Sequence, residues 1–240
     1  YESIAITDSA NLFGFLKFYK SVRSKGIKPI AGAEINHVRD SSSHQEHANL
    51  TLIVKNQSGY KNLIKLISKS QVVGKTSGIP VIETEWLAEH SDGLIALSGG
   101  FRGHIGKAVL DNNHDLFLKR IKYFQKIFEE DFILEISRIN RPQEDLYNDY
   151  ILSKAGELGL PVVASNEVRF IDKEDYEAHE TRVCIQKGEV LSDARRTRNY
   201  FEDQYFLSPE EMYEKFKDVP EVLSNACLLY TSPSPRDLAQ

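Results

Sequence analysis

The sequence has few cysteines and no long apolar run. Its two cysteines, Cys184 and Cys227, form neither a CxxC pair nor a zinc-binding spacing among the 240 residues. This usage is typical of a reduced, cytoplasmic setting rather than of a disulfide-bonded secreted protein. No segment reaches the roughly 18 apolar residues that a membrane-spanning helix requires, so we expect no membrane span. The chain has no initiator Met and no signal peptide, and we interpret it as a piece of a longer protein.

Several motifs of nucleotide-binding and hydrolytic enzymes are also missing. The sequence contains no GxGxxG, no GxxxxGK[ST] and no GxSxG, which removes support for dinucleotide, P-loop and serine-hydrolase sites. The net charge of -5 disfavours a nucleic-acid footprint over the whole surface. One local exception is DARRTRNYF at 193–201, in which Arg195, Arg196 and Arg198 precede two aromatic residues. Such arginines can bind a phosphate backbone, although a solvated loop of charges is the commoner explanation.

Strand-like and helix-like segments alternate along the chain, which predicts an α/β fold. We expect helices over about 10–25, from a cap at Ser58, over 104–110 and 114–129, and from Pro142 to about 157. The short apolar segments between them predict strands covered on both faces, in a parallel sheet. Six such strands favour a closed or nearly closed barrel over an open sheet. These strands are SIAIT, KPIAGAEINHV, NLTLIVKN, GLIALSGG, DFILEIS and LPVVASNEV.

Acidic and polar residues follow the predicted strands, at the end where β/α barrels carry their active sites. They are Asp8, Glu34, Ser98 to Gly100, Glu135, and Asn166 with Glu167. Carboxylates in such a place could hold a hard divalent ion, but a zinc or manganese cluster would also need imidazoles. The histidines are scattered over loops and helices. For Asp8 and Glu34, capping or pairing inside the barrel mouth is as compatible with the sequence as a functional role, and for Glu135 we expect a structural role.

The longest motifs resemble one family. AITDSANLFGFLKFYKSVRSKGIKPIAGAEI, NQSGYKNLIKLISKS, GLIALSGG and GLPVVASNEVRFIDKEDYEAHETRVCIQKG are similar to the polymerase-and-histidinol-phosphatase (PHP) domain of bacterial DNA polymerase III alpha subunits. The resemblance covers residues 1–226 and implies a distorted (β/α)7 barrel, truncated here because the family's first strand precedes Tyr1. Residues 227–240, CLLYTSPSPRDLAQ, depart from the family, and we expect them to be a non-native tail.

The resemblance implies that the chain retains only the remnant of a metal site. Residues other than histidine or cysteine occupy four positions where metal-binding members carry those ligands: Ser9, Asn49, Gly100 and Arg169. The matching oxygen-bearing positions are Asp8, Glu34, Asn166 and Glu167. Arg169 would bring a fixed positive charge that can neutralise the carboxylates as a metal would. We therefore expect no catalytic residue, metal or cofactor here, with Asp8 paired to Arg169 or to a backbone N–H.

The resemblance also implies a function and partners. The parent chain would be a DNA-directed DNA polymerase whose catalytic carboxylates lie downstream. This segment would be a non-catalytic scaffold that contacts the rest of the alpha chain and docks the epsilon proofreading exonuclease, with DNA bound through the parent chain. Two alternatives remain open at this point. One is an active metal-dependent phosphoesterase or 3′–5′ exonuclease, and the other is a DNA-contacting surface built on Arg195, Arg196 and Arg198.

Overall fold

The computed structural model describes residues 1–38, 47–76, 78–193 and 195–231. Most of the predicted polar loop SSSHQEH and most of the predicted tail, from residue 232 on, lie outside these ranges. The strands are β1 (Ser3–Ser9), β2 (Lys28–Val38), β3 (Ala48–Val54), β4 (Lys75–Thr76), β5 (Ile79–Pro80), β6 (Ile82–Glu83), β7 (Leu94–Leu97), β8 (Phe132–Ser137) and β9 (Val162–Ser165). The helices are α1 (Phe15–Arg23), α2 (Gln57–Val72), α3 (Thr84–Glu89), α4 (His104–Leu110), α5 (His114–Phe128), α6 (Glu144–Leu158), α7 (Tyr176–Lys187), α8 (Pro209–Lys215) and α9 (Glu221–Thr231).

One mixed sheet organises the described part of the chain. Its strand order is β1-β2-β3-β7-β8-β9, and β6 adds to the end of β2. The sheet is curled into a half-barrel between helices, as the predicted class of a truncated α/β barrel requires. Its path ends at β1 and β9 within the described residues, so this part of the chain forms a half-barrel; the sequence had favoured a closed or nearly closed one.

The strand directions correct the prediction of a parallel sheet. Three pairs of strands are parallel: β1 with β2, β7 with β8, and β8 with β9. β3, however, is antiparallel to both of its neighbours, β2 and β7. Only residues 39–47 connect β2 to β3, and a parallel crossover needs about a dozen residues or more. The chain therefore returns directly, and β3 lies in the opposite direction.

Both faces of the sheet are apolar. One face packs against the helices, and it includes Leu50, Leu52, Ala96, Leu134 and Ala164. Residues one position away in the same strands form the core of the other face: Ile30, Ile53, Ile95, Leu97, Ile133 and Val163. Ala226 and Leu229 of α9 pack against this second face, so α9 runs across the boundary that we predicted for the tail. Successive side chains of a strand point to opposite faces of the sheet, and both faces are buried here. The strands are therefore continuous apolar runs in the sequence.

Helix starts differ from their predicted positions for local reasons. α1 begins at Phe15 rather than near residue 10, because Ala10 has a positive φ of 51° and the Asn11 side chain accepts the Phe13 N–H at 2.9 Å. An Asn turn of this kind competes with helix formation. α2 is capped by Asn56, whose side chain accepts the Gly59 N–H at 3.0 Å, whereas the predicted cap Ser58 donates to Asp92.

Two further helices are close to their predicted bounds. α6 begins at Glu144, two residues after Pro142, and ends where Gly159 adopts a left-handed conformation, as expected for a helix end. Pro220 lies immediately before α9, a place where the missing N–H of proline costs the helix no hydrogen bond. None of the described helices combines the length and the apolar character that crossing a bilayer demands.

Gly59 is a position where the fold tolerates no side chain. A Cβ there would lie 1.8 Å from the carbonyl oxygen of Gly93, which is backbone and cannot move aside. We expect Gly59→Ala to destabilise the chain by about 3 kcal/mol or more, measured by urea unfolding through the fluorescence of Trp86. Gly156→Ala in α6 is the matched control, because its Cβ would meet nothing within 4 Å and should stabilise by about 0.5 kcal/mol. Equal effects of the two substitutions would contradict this account.

Candidate functional site

Carboxylates from three parts of the sheet converge at the predicted mouth. Glu34 lies in β2, Glu135 lies in β8, and Glu167 directly follows β9. The neighbouring carboxylates Glu167 and Glu34 both act on the pKa of Glu135. The structure thus brings together three of the four strand-end carboxylates of the sequence analysis, without Asp8. It places Glu135 within this cluster, and the structural role that we expected for Glu135 stays a prediction.

Glu34 has a partner for each of its oxygens. Its Oε1 accepts a hydrogen bond from the Asn49 side-chain amide at 2.7 Å, and its Oε2 lies 3.1 Å from an Arg169 guanidinium nitrogen. The backbone register explains the first contact, because Glu34 pairs with Thr51, two residues from Asn49 on the antiparallel β3. The side chains of Asn49 and Arg169 therefore both contact Glu34. All three residues belong to the predicted remnant of the metal site.

Glu167 accepts hydrogen bonds from two arginines through a single oxygen. Its Oε2 lies 2.8 Å from Arg141 and 3.0 Å from Arg102. The Ser137 hydroxyl lies 3.3 Å from Oε1, but its one proton has a closer acceptor in Glu144, at 3.0 Å. Burial alone would raise the pKa of Glu167, but the guanidiniums of Arg141, Arg102 and Arg169 outweigh it and hold that pKa below its ordinary value. Glu167 therefore stays ionised at neutral pH.

The Arg141 guanidinium contacts two aromatic rings. Its guanidinium carbon lies 4.8 Å from the ring centre of Phe101 and 5.6 Å from that of Phe201. The side chain is only 7% exposed, compared with 36% for Arg102. Cation–π contacts add to a charge-assisted hydrogen bond in such a place. Arg141 is consequently the most deeply fixed positive charge of the three that surround the carboxylates.

The sequence analysis missed Arg102 and Arg141. Both directly follow the strand ends at which we had already found candidate residues: Arg102 comes two residues after Gly100, and Arg141 comes four residues after β8. An arginine within a few residues of a strand end was the available signal, and we had not used it. Arg169 was identified from the resemblance to the family instead.

The pKa values of Glu135 and Glu167 are shifted in opposite directions. Burial raises its pKa to about 7, and the nearby charges of Glu167 and Glu34 add to this rise. A Cβ on Gly100 would lie 3.9 Å from the Glu135 Cγ, so this predicted remnant position also borders the cluster. Glu135 exchanges its proton near neutral pH, unlike Glu167.

The remaining predicted positions hold the surrounding backbone. The Asp8 carboxylate accepts the Gly14 N–H at 3.2 Å, so the expected backbone partner is confirmed, whereas Arg169 pairs with Glu34 instead. Ser9 ends β1 opposite Glu34 and is exposed. Asn166 donates to the carbonyl groups of Asp203 and Tyr205, at 3.0 and 2.7 Å, and so ties the segment after α7 to the end of β9.

The residues of the cluster do not fit a divalent metal. Such an ion needs free carboxylate oxygens, and a hydrolytic zinc or manganese site also needs imidazoles. Both oxygens of Glu34 and the Oε2 of Glu167 already have amide or guanidinium donors. Across the part of the chain that the structure describes, no group of three or more His, Cys, Asp or Glu residues is placed to hold a metal. His37 and His104 contact each other and Phe124 instead.

The arginine-rich segment 193–201 does not act as a unit. Arg195 pairs with Asp193 at 3.0 Å and is 90% exposed. Arg196 pairs with Glu180 at 2.5 Å, and both side chains are buried. Arg198 has no hydrogen-bond or ion-pair partner among the described residues and is exposed. The segment therefore offers one free guanidinium rather than the three that a DNA-contacting surface would use.

Comparisons with known proteins agree with this architecture. The model of the PHP domain family matches residues 1–139. Proteins named DNA polymerase III subunit alpha from Vibrio cholerae and Escherichia coli are each 44% identical to this chain over 93% of its length, and that of Pseudomonas aeruginosa is 40% identical. The chain spans 19% of the length of each of these curated relatives.

Among solved structures, a Bifidobacterium adolescentis protein described as a metal-dependent phosphoesterase is 12% identical, with a TM-score of 0.46 over 69% of this chain and 76% of that one. The family assignment does not depend on it, because the family model covers more than half of the chain. The chain belongs to the PHP domain family.

Proposed function

We propose that this chain is the non-catalytic PHP domain of a bacterial DNA polymerase III alpha subunit. The complete polypeptide would be a DNA-directed DNA polymerase that acts in DNA replication in the cytoplasm. The identity of 40–44% to alpha subunits over nearly the whole chain supports this proposal. The polymerase activity itself would reside outside this segment.

One observation carries the scaffold role. Glu34 and Glu167, two of the three carboxylates that match the family's metal site, each have an arginine within about 3 Å. Arginine cannot be deprotonated to coordinate a metal, and its charge competes with a cation for the same oxygens. Three guanidiniums would therefore do structurally what metal ions do in catalytic members. An active phosphoesterase or exonuclease would lack both its ligands and its metal-activated water.

The metal content and nuclease activity of the complete polypeptide test this role. We expect no stoichiometric zinc, manganese or iron by elemental analysis, and no metal-dependent 3′–5′ cleavage of a labelled oligonucleotide. Asp8→Asn should lower stability slightly, because the Gly14 N–H loses a charged acceptor. It should leave the cleavage rate at background. Metal-dependent cleavage that Asp8→Asn abolishes would overturn the proposal.

We further propose that this domain docks the separate epsilon proofreading exonuclease. A barrel whose own site is saturated by arginines cannot remove misincorporated nucleotides, so a polymerase built on it needs an exonuclease from outside. We expect the complete polypeptide and the epsilon subunit to co-elute in size-exclusion chromatography at micromolar concentrations. Arg141→Leu, which loosens this domain, should weaken that association, whereas Gly156→Ala at an open helix position should not. Separate elution of the two wild-type proteins would exclude the docking role.

A further inference from the structure

An open cavity lies next to the carboxylate cluster and outside it. Its volume is about 360 Å³, and the residues that line it include Lys173, Tyr176, Arg198, Tyr200, Phe201 and Asp203. This volume falls at the lower end of the range of about 300–1,000 Å³ that small-molecule sites show. The cavity therefore suits a ligand with one ring system rather than a large cofactor.

The aromatic residues of the cavity are fixed in position. The Tyr176 hydroxyl donates to the Tyr200 carbonyl at 3.3 Å, and the Tyr200 ring packs against His179 with ring centres 4.5 Å apart. The Phe201 ring lies against the Arg141 guanidinium and also lines the cavity. Rigid aromatic rings at the wall of an open cavity are suited to stacking against a planar ligand.

The positive charges of the cavity are available to an anion. Arg198 has no hydrogen-bond or ion-pair partner within the ranges that the structure describes. Lys173 makes only a long ion pair, at 3.5 Å, with Asp203. That carboxylate is shared, because Lys215 lies 3.6 Å from it and Asn140 also donates to it. Two lysines thus face the single negative charge of Asp203, which leaves a net positive charge beside Arg198, and Glu202 in the same lining opposes it.

We propose that this cavity binds one nucleotide unit of single-stranded DNA. The base would stack on Tyr200 and Phe201, and the phosphate would contact Arg198 and Lys173. Base stacking on aromatic side chains combined with cationic contacts to the backbone is how proteins bind single strands without reading their sequence. The proposal does not depend on epsilon docking, because none of these residues belongs to the carboxylate cluster.

Photochemical cross-linking tests the site in the complete polypeptide. The probe is an oligothymidylate of twelve nucleotides with 5-iodouracil at one position. Mass spectrometry identifies the cross-linked peptides. We expect a cross-link at Tyr200 or Phe201. Phe201→Leu should lower its yield about tenfold through lost stacking, and Arg198→Ala about fivefold through a lost phosphate contact. Glu202→Gln should raise it, because Glu202 lines the same cavity and repels phosphate.

Arg195→Ala is the matched control. It removes the same charge from the same segment at a residue that is 90% exposed and outside the cavity, so the yield should stay within about twofold. Equal losses in Arg195→Ala and Arg198→Ala, or no cross-link within 198–203, would overturn the proposal. Competition by dTMP distinguishes a free nucleotide from a strand. Displacement of the oligonucleotide at equal nucleotide concentration would overturn the assignment to single-stranded DNA, whereas displacement only at large excess supports it.

Discussion

Arg141→Leu should destabilise the chain by about 3 kcal/mol in urea unfolding followed through Trp86 fluorescence. Removing one partner of a buried ion pair leaves an uncompensated charge, which costs about 3–5 kcal/mol. Here the Glu167 oxygen that Arg141 contacts at 2.8 Å keeps a second donor, Arg102. We therefore expect the lower end of that range. The loss includes the cation–π contacts with Phe101 and Phe201.

Arg102→Leu provides the matched control for this experiment. It removes a guanidinium from the same Glu167 oxygen, at 3.0 Å, but the Arg102 side chain is 36% exposed and solvent screens it. We expect a loss of about 1 kcal/mol or less. Adding Glu167→Gln to Arg141→Leu should recover part of the lost stability, because the uncompensated charge disappears. Equal losses for Arg141→Leu and Arg102→Leu would show that burial of the pair does not determine its contribution.

The sequence predicted the general fold and some of the site because both depend on local patterns. Alternating apolar strands and helices predicted the α/β class, and strand-end acids predicted Glu34 and Glu167. The direction of β3 could not be predicted from its apolar residues, because parallel and antiparallel strands bury the same side chains. The short connection at 39–47 contained that information. The partner of each arginine depends on the distances between loops in the folded chain. The spacing of residues along the sequence does not specify those distances.

Asp8 and Arg169 illustrate where the reasoning from the family stopped. The substitution pattern indicated that a positive charge replaces the metal, and we expected Asp8 to pair with Arg169 or with a backbone N–H. The structure gives Asp8 a partner six residues away, the Gly14 N–H, and places Arg169 against Glu34 on the next strand. We had expected Arg169 to neutralise a carboxylate of the site, and it does. Which carboxylate it contacts depends on the position of the loop after β9, which carries Arg169.

Glu135→Gln should remove a loss of stability that the unmodified chain shows as the pH rises from 5 to 8. Burial and the charges of Glu167 and Glu34 raise the pKa of folded Glu135 from 4.5 to about 7. The folded state therefore holds this proton more tightly than the unfolded state does. The resulting stabilisation is fully present below pH 4.5 and disappears as the pH rises through 7. At about 1.4 kcal/mol for each pKa unit, the change amounts to roughly 3 kcal/mol.

Glutamine has nearly the shape of the neutral acid and never ionises, so Glu135→Gln should approach wild-type stability at pH 5 and exceed it by roughly 2–3 kcal/mol at pH 8. The measurement is the urea midpoint of both proteins at half-unit pH steps.

Glu130→Gln, at an exposed position on the same connection into β8, should shift the midpoint equally at every pH. This comparison separates Glu135 from the other titrating groups. His179, for example, has a pKa lowered by burial and gives the opposite slope near pH 6. A constant difference between Glu135→Gln and the unmodified chain from pH 5 to 8 would show that the pKa of folded Glu135 does not lie near 7 and would contradict this account.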